Sequence, residues 1–311
     1  MTIARRVTRR CVDGVLLLDK PVGLGSNAAL QHVKRLYRAD KAGHTGTLDP
    51  LASGLLPICF GEATKFAHGF LDADKTYVAT LHLGVATSTS DAEGEVLETR
   101  PVTASLQDVT TALARFVGII EQTPPRHAAM KYQGRNYYEY ARAGIEIPRF
   151  SRQIFIDELA LEDWSAPYAR IRVRCGKGTY VRVLAEDIGQ VLGCGAYLAA
   201  LRRIAVAGLS VTHAHTLEAL AQFDEDSRDT LLLPADTLVM TMPAVDLPAG
   251  DAGKLRQGQP VACATPHQGA CRLYTEGAFL GVGTTADGML RPKRLSTRAL
   301  TSKDAVKSVE S

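Results

Sequence analysis

The sequence predicts a mixed α/β fold with largely antiparallel strand pairing and a small β-barrel at its C-terminal end. Two features support the mixed class: strand-like and helix-like periodicities are interspersed, and they lack the strict strand-helix alternation of a doubly wound sheet. The third is a change of texture after roughly Val245, where short β-like pieces with frequent glycine replace the longer elements.

Taken in order, Gly14 to Asp19 is a short apolar strand broken by the turn Lys20-Pro21-Val22-Gly23. Ser26 or Asn27 then offers an N-cap for a helix to about Tyr37, with apolar positions at Leu30, Val33 and Leu36. A loop follows, Gly43-His44-Thr45-Gly46-Thr47-Leu48-Asp49-Pro50, of the kind that carries chemistry between ordered elements. Leu55 to Phe60 reads as a buried strand, Ala63 to Leu71 as a short helix, and Lys75 to Leu83 as an alternating strand carrying Tyr77. Helices are expected at 105–116, 137–143 and 179–192, and strands near 127–133, 153–162 and 168–175. The segment 122–150, rich in Pro, Arg, Lys and Tyr, is a candidate RNA-contacting insertion. The domain division is 1–244, 245–300 for the small barrel, and a polar tail at 301–311.

The 311 residues, 46% hydrophobic and 22% charged, exclude a disordered or fibrous chain. No apolar run approaches the roughly 20 residues of a membrane helix. The run Val15 to Leu18 is too short for a secretory core, so a cytoplasmic protein is the simplest reading. Arg5, Arg6, Arg9 and Arg10 before the first acid would also suit an organellar presequence. The six cysteines form no CxxC pair and read as reduced thiols. Strand alternation explains His213 and His215 better than a metal does, and no metal is expected.

The net charge of +3 conceals an uneven layout. Nine Lys/Arg against three acids lie in 1–43, and eight acids against one base in 218–251. Such segregation suits one polyanion-facing side, although charge runs are often only solvated faces.

Within Gly43 to Gly54, glycines and a proline build a sharply turned loop that can hold one carboxylate at a cleft. Taken alone, Asp49-Pro50 is better read as an ordinary turn or helix start. The loop, however, resembles the Gly-His-Thr-Gly-Thr-Leu-Asp-Pro motif of the TruB family of pseudouridine synthases. Four further stretches resemble this family in the same order: Leu18-Asp19-Lys20-Pro21 with Gly23; Asp74-Lys75-Thr76-Tyr77; Gly176 to Arg182; and Leu201-Arg202-Arg203. The likeness spans nearly the whole chain.

The resemblance implies a pseudouridine synthase fold with a PUA-like C-terminal barrel, an isomerase acting on the T loop of tRNA, and no cofactor. Its implied site has Asp49 as catalytic residue, Arg182 as its ion-pair partner, and Tyr77 stacking on the flipped uracil and placed to take the C5 proton. His44 helps hold the RNA loop open, Tyr180 and Leu201 line the uridine pocket, and Lys20 and Pro21 brace the catalytic loop. Without the motifs, Arg182 would read as a surface arginine at a helix start, and Tyr77, Tyr180 and Leu201 as core. The chemistry needs an acid: uridine to pseudouridine breaks the ribose bond to N1 and remakes it to C5, so an electron-deficient sugar carbon must be trapped or stabilised. Asp49 attacking the sugar and Asp49 abstracting a sugar proton toward a glycal are both open.

The resemblance implies a stand-alone, monomeric form rather than one acting in a guide-RNA particle. Two departures concern RNA contact only: Arg126-His127-Ala128 follows the prolines where relatives more often have Met-Tyr-Ser, and Tyr197 stands where His is common. The competing readings are an RNA-binding or tRNA-folding module without turnover, and a nucleoside hydrolase releasing uracil.

Overall fold

The computed structural model describes residues 8–128 and 130–300. The chain forms two units, one of residues 49–55 and 72–212, the other of 1–48, 56–71 and 213–311. The expected tail at 301–311, Arg5 and Arg6 lie outside the described residues.

The first unit is built on an antiparallel sheet. Its strands run in the order Ala196–Val206, Lys75–Leu83, Tyr168–Cys175, Arg152–Ser165, Gly118–Gln122. Alternation along Lys75–Leu83 puts Ala79, Leu81 and Leu83 on the buried face. Ile154, Ile156, Ile171 and Val173 join them there, covered by Val109 and Leu113 of helix Leu106–Ala114 and by Leu184, Ala185 and Ile188 of helix Val181–Val191. Ser105 caps the first helix by a reciprocal box with Asp108.

One parallel contact completes the sheet. Leu201, Arg202 and Arg203 pair with Ala52, Ser53 and Gly54. Gly54 has φ +102°, and a Cβ there would lie 2.2 Å from the Arg203 carbonyl oxygen, so only glycine admits the approach. Buried Arg203 donates from Nε to the Leu55 carbonyl at 2.7 Å, which fixes the same crossing from the side-chain direction.

In the second unit, Ala42–His44 pairs antiparallel with residues 58–60, and Gly14–Lys20 is tied to Leu233 and His215 by single bridges. Its C-terminal part is a five-stranded half-barrel in the order Ala244–Asp246, Gly269–Thr275, Ala278–Ala286, Met289–Leu300, Val261–Ala262. Leu247, Leu255, Cys271, Leu273 and Leu290 form its own core.

Glu62 fastens this unit internally. It accepts from Lys65 Nζ and Ser296 Oγ, each at 2.9 Å, and from the Thr297 N–H at 2.6 Å. Burial opposes the charge, but the bonds from Lys65, Thr297 and Ser296 outweigh it and bring the carboxyl down to about 2. Because the folded value lies below the unfolded one, the stabilisation is present above about pH 4.3 and is lost as pH falls toward 2. Glu62→Gln therefore lowers stability at pH 7 by about 1 to 2 kcal/mol, and its difference from wild type disappears near pH 2 in acid-unfolding curves.

Several local expectations change. Helix Ser26–Leu36 has Gly25, not Ser26 or Asn27, as its N-cap. The Ser26 hydroxyl instead accepts from the Leu48 N–H at 2.7 Å and donates to the Leu48 carbonyl at 2.8 Å. The helix expected at 63–71 divides into a 3-10 turn Gly61–Lys65 and helix Ala67–Leu71, the tight Phe66-to-Ala63 bond ending the first. The strand expected at 127–133 shrinks to Lys131–Tyr132, because the chain turns at Gln133-Gly134, both at positive φ, straight back into Arg135–Asn136. His213 ends a 3-10 turn rather than standing on a strand. All six cysteines are free thiols. Among the described residues no helix is long and apolar enough to cross a membrane, and no group of three or more potential ligands could hold a metal.

Candidate active site

The site grows from the start of helix Val181–Val191. Arg182 is in its first turn, and its side chain is only 7% exposed. Its Nη2 lies 3.0 Å from Asp49 Oδ2 and also donates to the His127 carbonyl at 3.0 Å, while Nη1 lies 3.4 Å from Asp91 Oδ2. One planar guanidinium thus joins two carboxylates and the insertion backbone, which an ammonium could not do with the same geometry.

The two acids differ in access. Asp91 is 4% exposed, and its other oxygen accepts from the Thr89 hydroxyl and the Glu93 N–H. Asp49 is 47% exposed. Asp91 is therefore saturated and structural, whereas Asp49 is held at one oxygen and open to a reactant.

Tyr77 stands in Lys75–Leu83 between Val173 and Arg203. Burial raises its hydroxyl above the ordinary tyrosine range, with the nearby Arg203 charge opposing, so the resting side chain is a neutral phenol. Tyr180 is clamped at its backbone: its N–H donates to Gln122 Oε1 at 2.7 Å, and its carbonyl accepts from Gln122 Nε2 at 3.1 Å. Arg152 lies 5.3 Å over its ring and donates to the Gly178 carbonyl. Burial raises the Tyr180 hydroxyl too, with Arg152 opposing. Leu201 is half-buried, between Ala52 and Ala79 in the sheet. A cleft of about 760 Å³ in this unit is lined by Ser90, Gln122, His127, Arg149 and Asp187 among others.

The structure thus brings together Asp49, Tyr77, Tyr180, Arg182 and Leu201 in one unit. Lys20, Pro21 and His44 belong to the other. There, buried Lys20 donates to the carbonyls of Pro21 at 2.8 Å and Leu24 at 2.5 Å, fixing the turn before helix Ser26–Leu36. Ser26, at the start of that helix, holds Leu48, the residue before Asp49. His44 pairs with Ile58, and Thr45 donates from its N–H to the Pro57 carbonyl.

Sequence reasoning gave Asp91, Gln122 and Arg152 no part in the site; it read Ser26 as a helix cap and Arg203 only as part of the Leu201-Arg202-Arg203 motif, and Asp91 showed no more than an acid in the polar run Ser88-Thr89-Ser90-Asp91.

Residues 34–181 match the family described as TruB family pseudouridylate synthase (N terminal domain). Residues 182–240 and 243–296 match the tRNA pseudouridylate synthase B C-terminal domain and the C-terminal pseudouridine synthase II TruB families. The tRNA pseudouridine synthase B of Thiobacillus denitrificans is 55% identical over 288 residues, covering 92% of this chain and 97% of that protein.

The chain belongs to the TruB family.

The enzyme of the same name from Burkholderia mallei is 54% identical over 298 residues, covering 93% of this chain and 96% of its own. Among solved structures, a Cbf5-Nop10-Gar1 complex contains a similar chain, with a TM-score of 0.70 at 22% identity, covering 94% of this chain and 86% of that one. A second similar chain occurs in an H/ACA RNP bound to a substrate RNA containing 2'-deoxyuridine, with a TM-score of 0.69 at 21% identity and coverages of 94% and 86%. At such identities the likeness is one of fold, and it gives the mixed sheet and C-terminal half-barrel their place in the pseudouridine synthase fold.

Proposed function

We propose that this TruB-family protein is a stand-alone isomerase that converts uridine 55 in the T loop of tRNA to pseudouridine, with Asp49 as catalytic carboxylate. The carrying observation is the unequal pair of acids on Arg182: one buried and saturated, one open.

In this reading the target nucleotide leaves its stack and enters the space bounded by Tyr77, Tyr180 and Leu201, while His44 helps hold the RNA loop open. Asp49 meets the ribose as the bond to N1 breaks, by attack on the sugar carbon or by removing a sugar proton. The released uracil turns, C1' bonds to C5 as the Asp49 carboxylate leaves the sugar carbon or returns the sugar proton, the C5 proton departs, and N1 takes up a proton. Atoms balance without oxidant, water or nucleotide triphosphate, so the protein needs no cofactor. Water must be kept out, because it would divert the sugar to hydrolysis.

Arg182 keeps Asp49 aimed, and Asp91 keeps Arg182 from following the substrate. Tyr77, a neutral phenol at rest, serves first as a stacking surface; it takes the C5 proton only as its own proton is handed on. Lys20 and Pro21 support the catalytic loop through the turn before Ser26. Residues 1–244 carry the reaction, 122–150 touch the RNA, and 245–300 act as a PUA-like RNA-binding domain. The enzyme works as a cytoplasmic monomer without an obligatory protein partner.

The test is to incubate the purified protein alone with an unmodified tRNA transcript and locate pseudouridine at nucleotide resolution. One pseudouridine at position 55 is expected. Tight binding without product would favour an RNA-folding module, and free uracil would favour a hydrolase.

A further inference from the structure

The second unit has a groove of about 890 Å³ that the catalytic account does not use. It is lined by Thr8, Arg9, Gln31, Lys34, Arg35 and Arg38, with no acid among them. Lys34 and Arg35 stand three and four residues after Gln31 and so share one side of helix Ser26–Leu36, and Arg38 follows just beyond the helix end. Arg9 comes from a different stretch of chain. That stretch is laid alongside by hydrogen bonds from the Arg10 N–H to the Arg38 carbonyl and from the Asp40 N–H to the Arg10 carbonyl.

The neighbouring acids are committed elsewhere. Arg10 is neutralised by Asp229 at 2.5 Å and Glu225 at 3.6 Å, and Arg38 by Glu225 at 3.2 Å. Arg9 and Arg35 are exposed, Lys34 is half-exposed, and among the described residues none of the three has an acidic partner. Cations in a last helical turn complement the helix dipole, which accounts for Lys34 and Arg35. It does not account for Arg9 completing the groove from another segment, nor for an acidic stretch that pairs with Arg10 and Arg38 yet leaves Arg9, Lys34 and Arg35 without an acid.

We propose that this groove is a second RNA site that takes consecutive phosphates of the tRNA backbone, apart from the pocket for the flipped nucleotide. Three cations from two segments, with Gln31 and Thr8 as hydrogen-bonding groups, suit a chain of phosphates better than a single anion. The proposal rests on the reading that the protein acts on tRNA.

The experiment compares wild type with the triple variant R9Q/K34Q/R35Q. Binding of an unmodified tRNA transcript is titrated between about 50 and 300 mM salt, a range over which counterion release is measurable. The slope of log K against log salt falls in magnitude by about 2 to 3, near 0.7 to 0.9 for each lost phosphate contact. Kd rises about 10-fold or more near 150 mM salt. Pseudouridine formed per enzyme at saturating tRNA stays at the wild-type level, and R9K/R35K keeps the wild-type slope. An unchanged slope with Kd within about twofold overturns the proposal. So does a lower melting temperature with an unchanged slope, which would leave only the helix-end role. R9Q alone, outside the helix, gives about one third of the slope change and covers the case in which the triple variant misfolds. Absence of pseudouridine from wild type would count against the isomerase reading and leaves the slope measurement intact.

Discussion

Replacing Asp49 by asparagine abolishes pseudouridine formation while the protein still binds tRNA. The amide keeps the size of the side chain and one acceptor for Arg182, so the loop has no reason to rearrange. It lacks the negative charge that the sugar carbon, or the sugar proton, requires. Single-turnover rates fall by about 10⁴-fold or more, equivalent to at least about 5.5 kcal/mol of barrier. The tRNA affinity stays within about threefold, because flipping and phosphate contacts do not depend on this charge. Turnover near the wild-type rate would remove Asp49 from its role.

The second large effect is expected at Arg182. Lysine keeps a charge but cannot reach Asp49, Asp91 and the His127 carbonyl together, so Arg182→Lys lowers the single-turnover rate by about 10² to 10³-fold. Arg182→Ala is worse in a second way: it strands the Asp91 carboxylate, 4% exposed, without its cation, and costs about 3 kcal/mol of stability in denaturant unfolding. Asp91→Asn separates positioning from RNA binding. The rate falls about 10 to 100-fold while tRNA affinity stays within about threefold, and stability falls by less than in Arg182→Ala because Arg182 keeps Asp49 and the His127 carbonyl. Equal losses of affinity and rate in Arg182→Lys would mean that this residue holds RNA rather than the carboxylate.

Much of this arrangement was legible in the sequence, for a physical reason. Loops that must turn sharply need glycines and a proline, so the turned loop within Gly43 to Gly54 was legible in local pattern, whereas the part given to Asp49 came from the resemblance alone. Lys75–Leu83 was equally plain, because a half-buried strand alternates. Asp91 was not legible: its meeting with Arg182, 91 residues away, is decided only when the Ser88 to Glu95 loop settles beside Leu198. Ser26 misled for a related reason. Its residue type at a helix start predicts a cap, yet Leu48 offers both a donor and an acceptor at 2.7 and 2.8 Å, and that tertiary pairing wins. At the 131–136 hairpin the strand expected over 127–133 keeps only two paired residues, because an early turn sends the chain back on itself.

The most direct test is a crystal structure of the protein bound to a tRNA T arm carrying 5-fluorouridine at the target position. The account predicts the target base out of its stack, among Tyr77, Tyr180 and Leu201, with an Asp49 carboxylate oxygen bonded to the ribose or within about 3.5 Å of it. A base still stacked in the loop, or an Asp49 side chain turned away from the sugar, would contradict it.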